Sequence, residues 1–198
     1  MDRPALALVL LLVFYGVTFG VRAWQQVRAT GSAGFHGLSG RPGSAGWFGG
    51  ALFIAGVVLS LVAPLAEWTG RVAPLARPPL GLGLGLTLAG LALTYAAQRA
   101  MGSSWRIGVR AGERTALVTH GPFAVVRNPI FSCMLLSAAG LALVLPNVVS
   151  LASLASLVLA VELQVRVIEE PHLAQVHGAI YRDYAARVGR FFPGLGRL

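Results

Sequence analysis

Most of the residues able to do chemistry in this chain fall in two segments, 98–128 and 162–193. The first ends in Leu117-Val-Thr-His-Gly-Pro-Phe-Ala-Val-Val-Arg-Asn-Pro-Ile-Phe131, where a Gly-Pro turn precedes Arg127 and an Asn-Pro helix start. Asn128 suits an N-cap and Pro129 the first helical position. Arg127 reads either as a snorkelling interface anchor or as a cation that holds an anionic group in a bidentate fork. The second segment opens Glu162-Leu-Gln-Val-Arg-Val-Ile-Glu-Glu-Pro171. Glu162, Arg166 and Glu169/Glu170 stand at i, i+4 and i+7/i+8, so a regular helix carries them on one face. That stripe is either a set of surface pairs or, near membrane depth, part of the wall of a watery cavity.

The elements that must position these groups are set by composition. The 198 residues are 56% hydrophobic and 12% charged, where a soluble domain carries about 25% charge. With a mean hydropathy of +0.71, soluble, disordered and disulfide-rich classes are excluded, the last because Cys133 is the sole cysteine. The net charge of +9 comes from 16 arginines against 7 acids, without lysine. Nucleic acid is not the partner this implies. The arginines sit at the chain ends and between apolar runs, the pattern of a protein facing anionic lipid. The fold class is therefore all-α integral membrane, with the lipid bilayer as partner.

About five spans are expected: Pro4–Val21, Gly46–Leu65, Leu80–Ala97, and a C-terminal hairpin of two short helices, 130–145 and 147–166, turning at Pro146-Asn147. Residues 1–97 form a three-helix region, and 98–198 a catalytic region of loop, hairpin and tail. In the tail, Leu173, Val176, Ile180, Tyr184 and Ala185 trace an amphipathic helix on the membrane surface, flanked by Arg182, Arg187 and Arg190. The N-terminus with the 66–79 and 146–147 connections holds three arginines, and the opposite side thirteen. The positive-inside rule puts the N-terminus outside and the tail in the cytoplasm. The first run reads as an uncleaved helix, not a signal peptide.

Other features carry weaker expectations. Glycines recur every third residue from Gly31 to Gly46, as a flexible loop or as a lid bearing Phe35-His36. Gly16/Gly20, Gly46/Gly50 and Gly81/Gly85 are small-xxx-small pairs suited to helix packing. Trp105 reads as an interfacial anchor or a cofactor neighbour, and Tyr181 as a pocket wall or a packing residue. His172 and His177 lack the spacing of a metal pair, and no metal site is expected.

The string Leu-Val-Thr-x-Gly-Pro-Phe-x-x-x-Arg-Asn-Pro-x-Phe lies about forty residues before Glu-Glu-x-x-Leu-x-x-x-x-Gly-x-x-Tyr-x-x-Tyr, and Phe191-Phe-Pro193 closes the segment. Together these resemble the isoprenylcysteine carboxyl methyltransferase family; phospholipid N-methyltransferases share the outline more loosely. The resemblance covers roughly residues 100–193. It implies a membrane enzyme using S-adenosylmethionine on a lipophilic acceptor, which is a prenylcysteine-like carboxylate, a thiol or a lipid amine. It further implies a cofactor site from Thr115, Ala116, Leu117 and Val118, through His120, Gly121 and Phe123, to Asn128, Pro129, Ile130 and Phe131, completed by Glu169. Asn128 stands where the family usually has His. Arg166, one residue from the family's substrate-contacting arginine, and Arg127 are the expected orienting groups, with Glu170 or His120 as base for a thiol or amine. The competing readings are a nicotinamide-dependent sterol-reductase-like enzyme and a non-catalytic membrane scaffold.

Overall fold

In the computed structural model, residues 2–34, 41–106, 108 and 116–198 are described. Phe35-His36 and Thr115 lie outside them. Helix α1 (Arg3–Tyr15) runs through a wide π-helical segment, Gly16–Val21, into α2 (Arg22–Thr30). Then follow α3 (Ala45–Trp68), α4 (Leu80–Ala100), α5 (Pro129–Val144) and α6 (Val148–Leu163). A second wide segment, Gln164–Glu169, leads from α6 into α7 (Glu170–His177), and α8 (Ala179–Arg187) follows. The protein is a helical membrane protein: among the described residues, four continuous helices are long and apolar enough to cross a bilayer, and α5 is a shorter apolar one.

Local chemistry explains most helix ends. Asp2 accepts from the Ala5 amide at 3.1 Å and caps α1; Ser44 caps α3 through the Trp47 amide at 3.3 Å. Asn147 and Ser150 cap α6 reciprocally, each side chain accepting from the other's backbone N–H. Asn128, expected to cap α5 with its side chain, makes no such bond; its Nδ2 donates instead to the Arg190 carbonyl at 3.2 Å.

Two antiparallel helix pairs build the bundle. On α4 and α5, Gly90 faces the Ser137 backbone and Gly140 faces Thr87, so closely that a Cβ at either would lie under 3 Å from backbone atoms. The Ser137 hydroxyl donates across the gap to the Thr87 carbonyl at 3.0 Å. On α3 and α6, Ser153 and Ser156 donate to the Gly56 and Leu52 carbonyls at 2.7 and 2.8 Å. Small residues that admit backbone contact and interhelical hydroxyl bonds are the usual adhesives where lipid removes the hydrophobic drive. Two of the expected pairs are not used this way: Gly16, Gly20, Gly81 and Gly85 face open space.

Each end of the bundle is tied. At one, Arg3 donates to the Pro78 carbonyl at 2.8 Å, and Asn147 to Glu67 at 2.9 Å. At the other, Arg22 donates to the Gly102 carbonyl at 2.5 Å and stacks 4.7 Å from the Trp105 ring centroid. Trp105 is thus buried, not a lipid-facing anchor. The tail also differs from the single surface helix expected. Gly178, at φ 56°, a conformation side chains rarely adopt, breaks it into α7 and α8. Tyr181, Tyr184 and Ala185 then turn inward against Leu117 and Leu173, while Ile180 stays exposed.

Candidate functional site

The two wide helical segments flank a cavity of about 1100 Å³. Single wide turns inside α-helices recur at functional sites because they rotate the following side chains out of register. Here the second one separates two neighbouring acids. Glu169 lines the cavity, where Gln164 donates to its Oε1 at 3.4 Å and Arg106 is its electrostatic partner. Glu170 turns the other way, into protein.

Glu170 is the centre of a buried cluster. Arg127 donates from Nη2 to its Oε1 at 2.6 Å, and Arg190 holds both oxygens at 2.8 Å from Nε and Nη2. All three residues are less than a tenth exposed. Arg127 also donates to the carbonyls of Ala185 (2.9 Å), Val188 (2.5 Å) and Gly196 (3.0 Å). Backbone bonds from Arg127 and Asn128 to Gly189 and Arg190 run alongside, at 2.8 and 3.1 Å. The arrangement is a clasp that fastens the C-terminal segment to the start of α5. The bidentate bond to Glu170 raises the Arg190 pKa above its ordinary value. Burial pushes the Tyr181 and Tyr184 hydroxyls beside it up to about 12; Tyr184 donates to the Phe123 carbonyl at 2.6 Å.

The cavity wall gathers Ala116, Leu117, Val118, Phe123, Arg127, Asn128, Ile130, Phe131 and Glu169 from among the expected site residues. Others stand elsewhere. His120 and Gly121 are exposed at the surface turn, where Gly121 takes φ 59°. Pro129 is buried behind the first turn of α5. Arg166 is exposed and pairs with Glu162, its neighbour one turn back. Arg127 reaches the wall, but its two terminal nitrogens are engaged by the clasp.

Several wall residues were not read from the sequence. Gln98, near the end of α4, is 2% exposed. Its Nε2 donates to the Thr18 carbonyl at 3.0 Å, while the buried Oε1 has no hydrogen-bond partner. An amide in the last turns of an apolar helix was the available signal. Gln164, His172 and Leu173 line the same polar end. Helices α1 and α3 and the wide segment Gly16–Val21, which carried no readable motif, supply Leu12, Tyr15, Phe19, Phe53, Ile54 and Leu61 to the other, apolar end. Among the described residues no three His, Cys, Asp or Glu side chains gather as a metal site.

The chain is 26% identical over 139 residues to the nickel-cobalt-cadmium resistance protein NccN of Alcaligenes xylosoxydans xylosoxydans, covering 70% of this chain and 60% of that protein. No solved structure matches. Residues 79–180, from the start of α4 to the start of α8, match the family model described as phospholipid methyltransferase. That match covers just over half of the chain and takes in the first motif and the second as far as Ile180; the chain belongs to the phospholipid methyltransferase family.

Proposed function

We propose that this protein transfers a methyl group from S-adenosylmethionine, held at the polar end of the cavity, to a lipophilic acceptor whose tail occupies the apolar end. One observation carries the reading: a single cavity joins the family's motif residues to a channel between α1, α3 and α5 at membrane depth. The residues present suit such a donor. Glu169 offers a carboxylate to an ammonium, and the Gln98 Oε1, buried without a partner, offers an acceptor to an N–H group. A buried acceptor left unsatisfied costs about 1–3 kcal/mol, which a ligand donor relieves. Leu117, Phe123, Leu173 and Tyr181 form an apolar lining for an aromatic base. S-Adenosylmethionine supplies, when bound, an electrophilic methyl on a sulfonium centre.

The work left to the chain is positioning, because in-line displacement gains most from holding the partners aligned. A carboxylate acceptor is ionised at neutral pH and needs no base; Arg106, on the wall, can orient it. An amine or thiol must lose a proton, and with Glu169 engaged by the donor's ammonium, His172 is the group on the wall able to take it. Glu170, held by two arginines behind the wall, and His120, at the surface, are not placed for that task. The clasp closes the polar end from behind, so that water reaches the reacting atoms less readily. The concentration of arginine at this end supports a cytoplasmic orientation for it.

The test is calorimetric binding of S-adenosylmethionine and S-adenosylhomocysteine to the detergent-purified full chain. Micromolar binding is expected, weakened roughly tenfold to hundredfold in Glu169→Ala, as for loss of a hydrogen bond to a charged group. Absence of binding in folded protein overturns the donor assignment.

A further inference from the structure

A second cavity, of about 50 Å³, lies deeper in the bundle along the same axis. On every contributing helix the residue numbers order the two spaces alike. The large cavity meets α5 at Asn128–Met134 and the small one at Met134–Ala142; on α3 they meet Gly49–Leu61 and Phe53–Pro64. Five residues line both: Tyr15, Phe53, Val57, Met134 and Val161. They come from α1, α3, α5 and α6 and form a partition across the channel. About 9 Å of helix rise separates Asn128, at the polar end, from Met134 in the partition.

The partition is held in place. The Ser60 hydroxyl donates to the Val57 carbonyl at 2.7 Å, which leaves its oxygen to accept from the Tyr15 hydroxyl at 2.9 Å. Tyr15 also packs edge-on to Phe14 at 5.5 Å between centroids, and Phe19 links to Phe53 at 6.4 Å. Beyond the partition, the hydroxyls of Ser60, Ser150 and Ser153 are all spent on backbone carbonyls. A cavity holds water only when polar partners are available to it, so this space is dry and suited to hydrocarbon.

Building on the proposed acceptor channel, we infer that the Tyr15–Phe53–Met134 partition is the specificity-determining floor that sets how long a hydrocarbon tail the protein accepts. A tail that reaches the partition gains nothing from further methylenes, because the added carbons meet fixed aromatic rings. Removing the Tyr15 ring joins the two spaces. At about 30 Å³ for a water-sized group, the 50 Å³ of the small cavity alone admits about two further methylenes, and the space vacated by the ring adds to that.

The experiment uses the full chain in dodecylmaltoside micelles and a series of straight-chain n-alkyl amines from octyl to eicosyl. Affinity is read by displacement of a dansylated long-chain amine and corrected for partition into empty micelles. In the wild type affinity rises roughly fourfold per methylene, the value of one buried CH₂, then levels off. In Tyr15→Ala the plateau begins at least about two methylenes later, and adding Ala138→Phe, which refills space at the small cavity, moves it back toward the wild-type length. Met134→Ala gives the same shift by a smaller truncation and serves where Tyr15→Ala does not fold. A plateau at the same length in wild type and variants overturns the inference, and so does a wild type that binds no member of the series. Donor binding measured on the same samples separates the two readings: intact donor binding with an unmoved plateau sinks only the partition. A moved plateau without donor binding sinks only the donor.

Discussion

At the residue scale the main lesson is the divergence of two adjacent acids. Glu169 faces the cavity, whereas Glu170 pairs with both Arg127 and Arg190 in a buried cluster. Glu170→Ala leaves two buried guanidinium groups facing one another, and breaking a buried pair this way costs about 3–5 kcal/mol. The expected outcome is a melting temperature roughly 10 °C lower in detergent, while Glu169→Ala shifts stability by less than about 1 kcal/mol. Equal losses in the two variants would show that the acids do not divide their roles in this way. The motif made both acids legible as site candidates, and the cavity does gather Leu117, Phe123, Asn128 and Glu169. Their division was not legible, because regular helical spacing puts both on one face and only the wide segment Gln164–Glu169 turns them apart. Arg190 was hidden for another reason. It follows several exposed arginines in sequence, and only the folding of 189–196 back onto Arg127 makes it a partner of Glu170.

At the element scale the spans were legible and their contacts were not. Length and apolarity locate each helix to within a few residues, since bilayer thickness imposes them. The face a helix turns to its neighbour leaves no such mark: both sides of α4 are apolar, one touching α5 and the other free to touch lipid. Glycine pairs four apart suggested Gly81/Gly85, yet the close approach sets Gly83 against Gly140 and Gly90 against Ser137. That difference is measurable. A Cβ at Gly90 would lie 2.6 Å from the Ser137 amide nitrogen and 2.7 Å from the Cys133 carbonyl oxygen. Gly90→Ala must therefore push α4 from α5, an overpacking worth about 1–3 kcal/mol. Gly85→Ala meets nothing within 4 Å and gains helix propensity of about 0.5–1 kcal/mol. Thermal unfolding of the two variants should move in opposite directions; a parallel change would mean that the α4–α5 contact is not the one described.

At the scale of the whole molecule, the chain is a bundle with two unlike ends. The end that ties Arg3, Pro78, Glu67 and Asn147 together is close to neutral and short-looped. Among the described residues, the end with the clasp, Arg22 and the polar part of the cavity carries most of the arginines. An arginine-rich face is retained on the cytoplasmic side during insertion, and in the proposed reaction a charged water-soluble methyl donor must approach from the compartment that contains it. The two arguments are independent and choose the same face. The predicted orientation can be read with single cysteines placed after Cys133→Ser has removed the native thiol. Ala73→Cys, in the exposed α3–α4 connection, should react with a membrane-impermeant maleimide added to intact host cells; Leu198→Cys, at the exposed tail, should react only after permeabilisation. The reverse pattern would put the polar end of the cavity outside, where no cytoplasmic donor could reach Glu169. The proposed reaction would then lose its donor even though every residue of the cavity stayed in place. Labelling of both positions from the same side would instead contradict the pairing of loops at the two ends, and with it the count of spans.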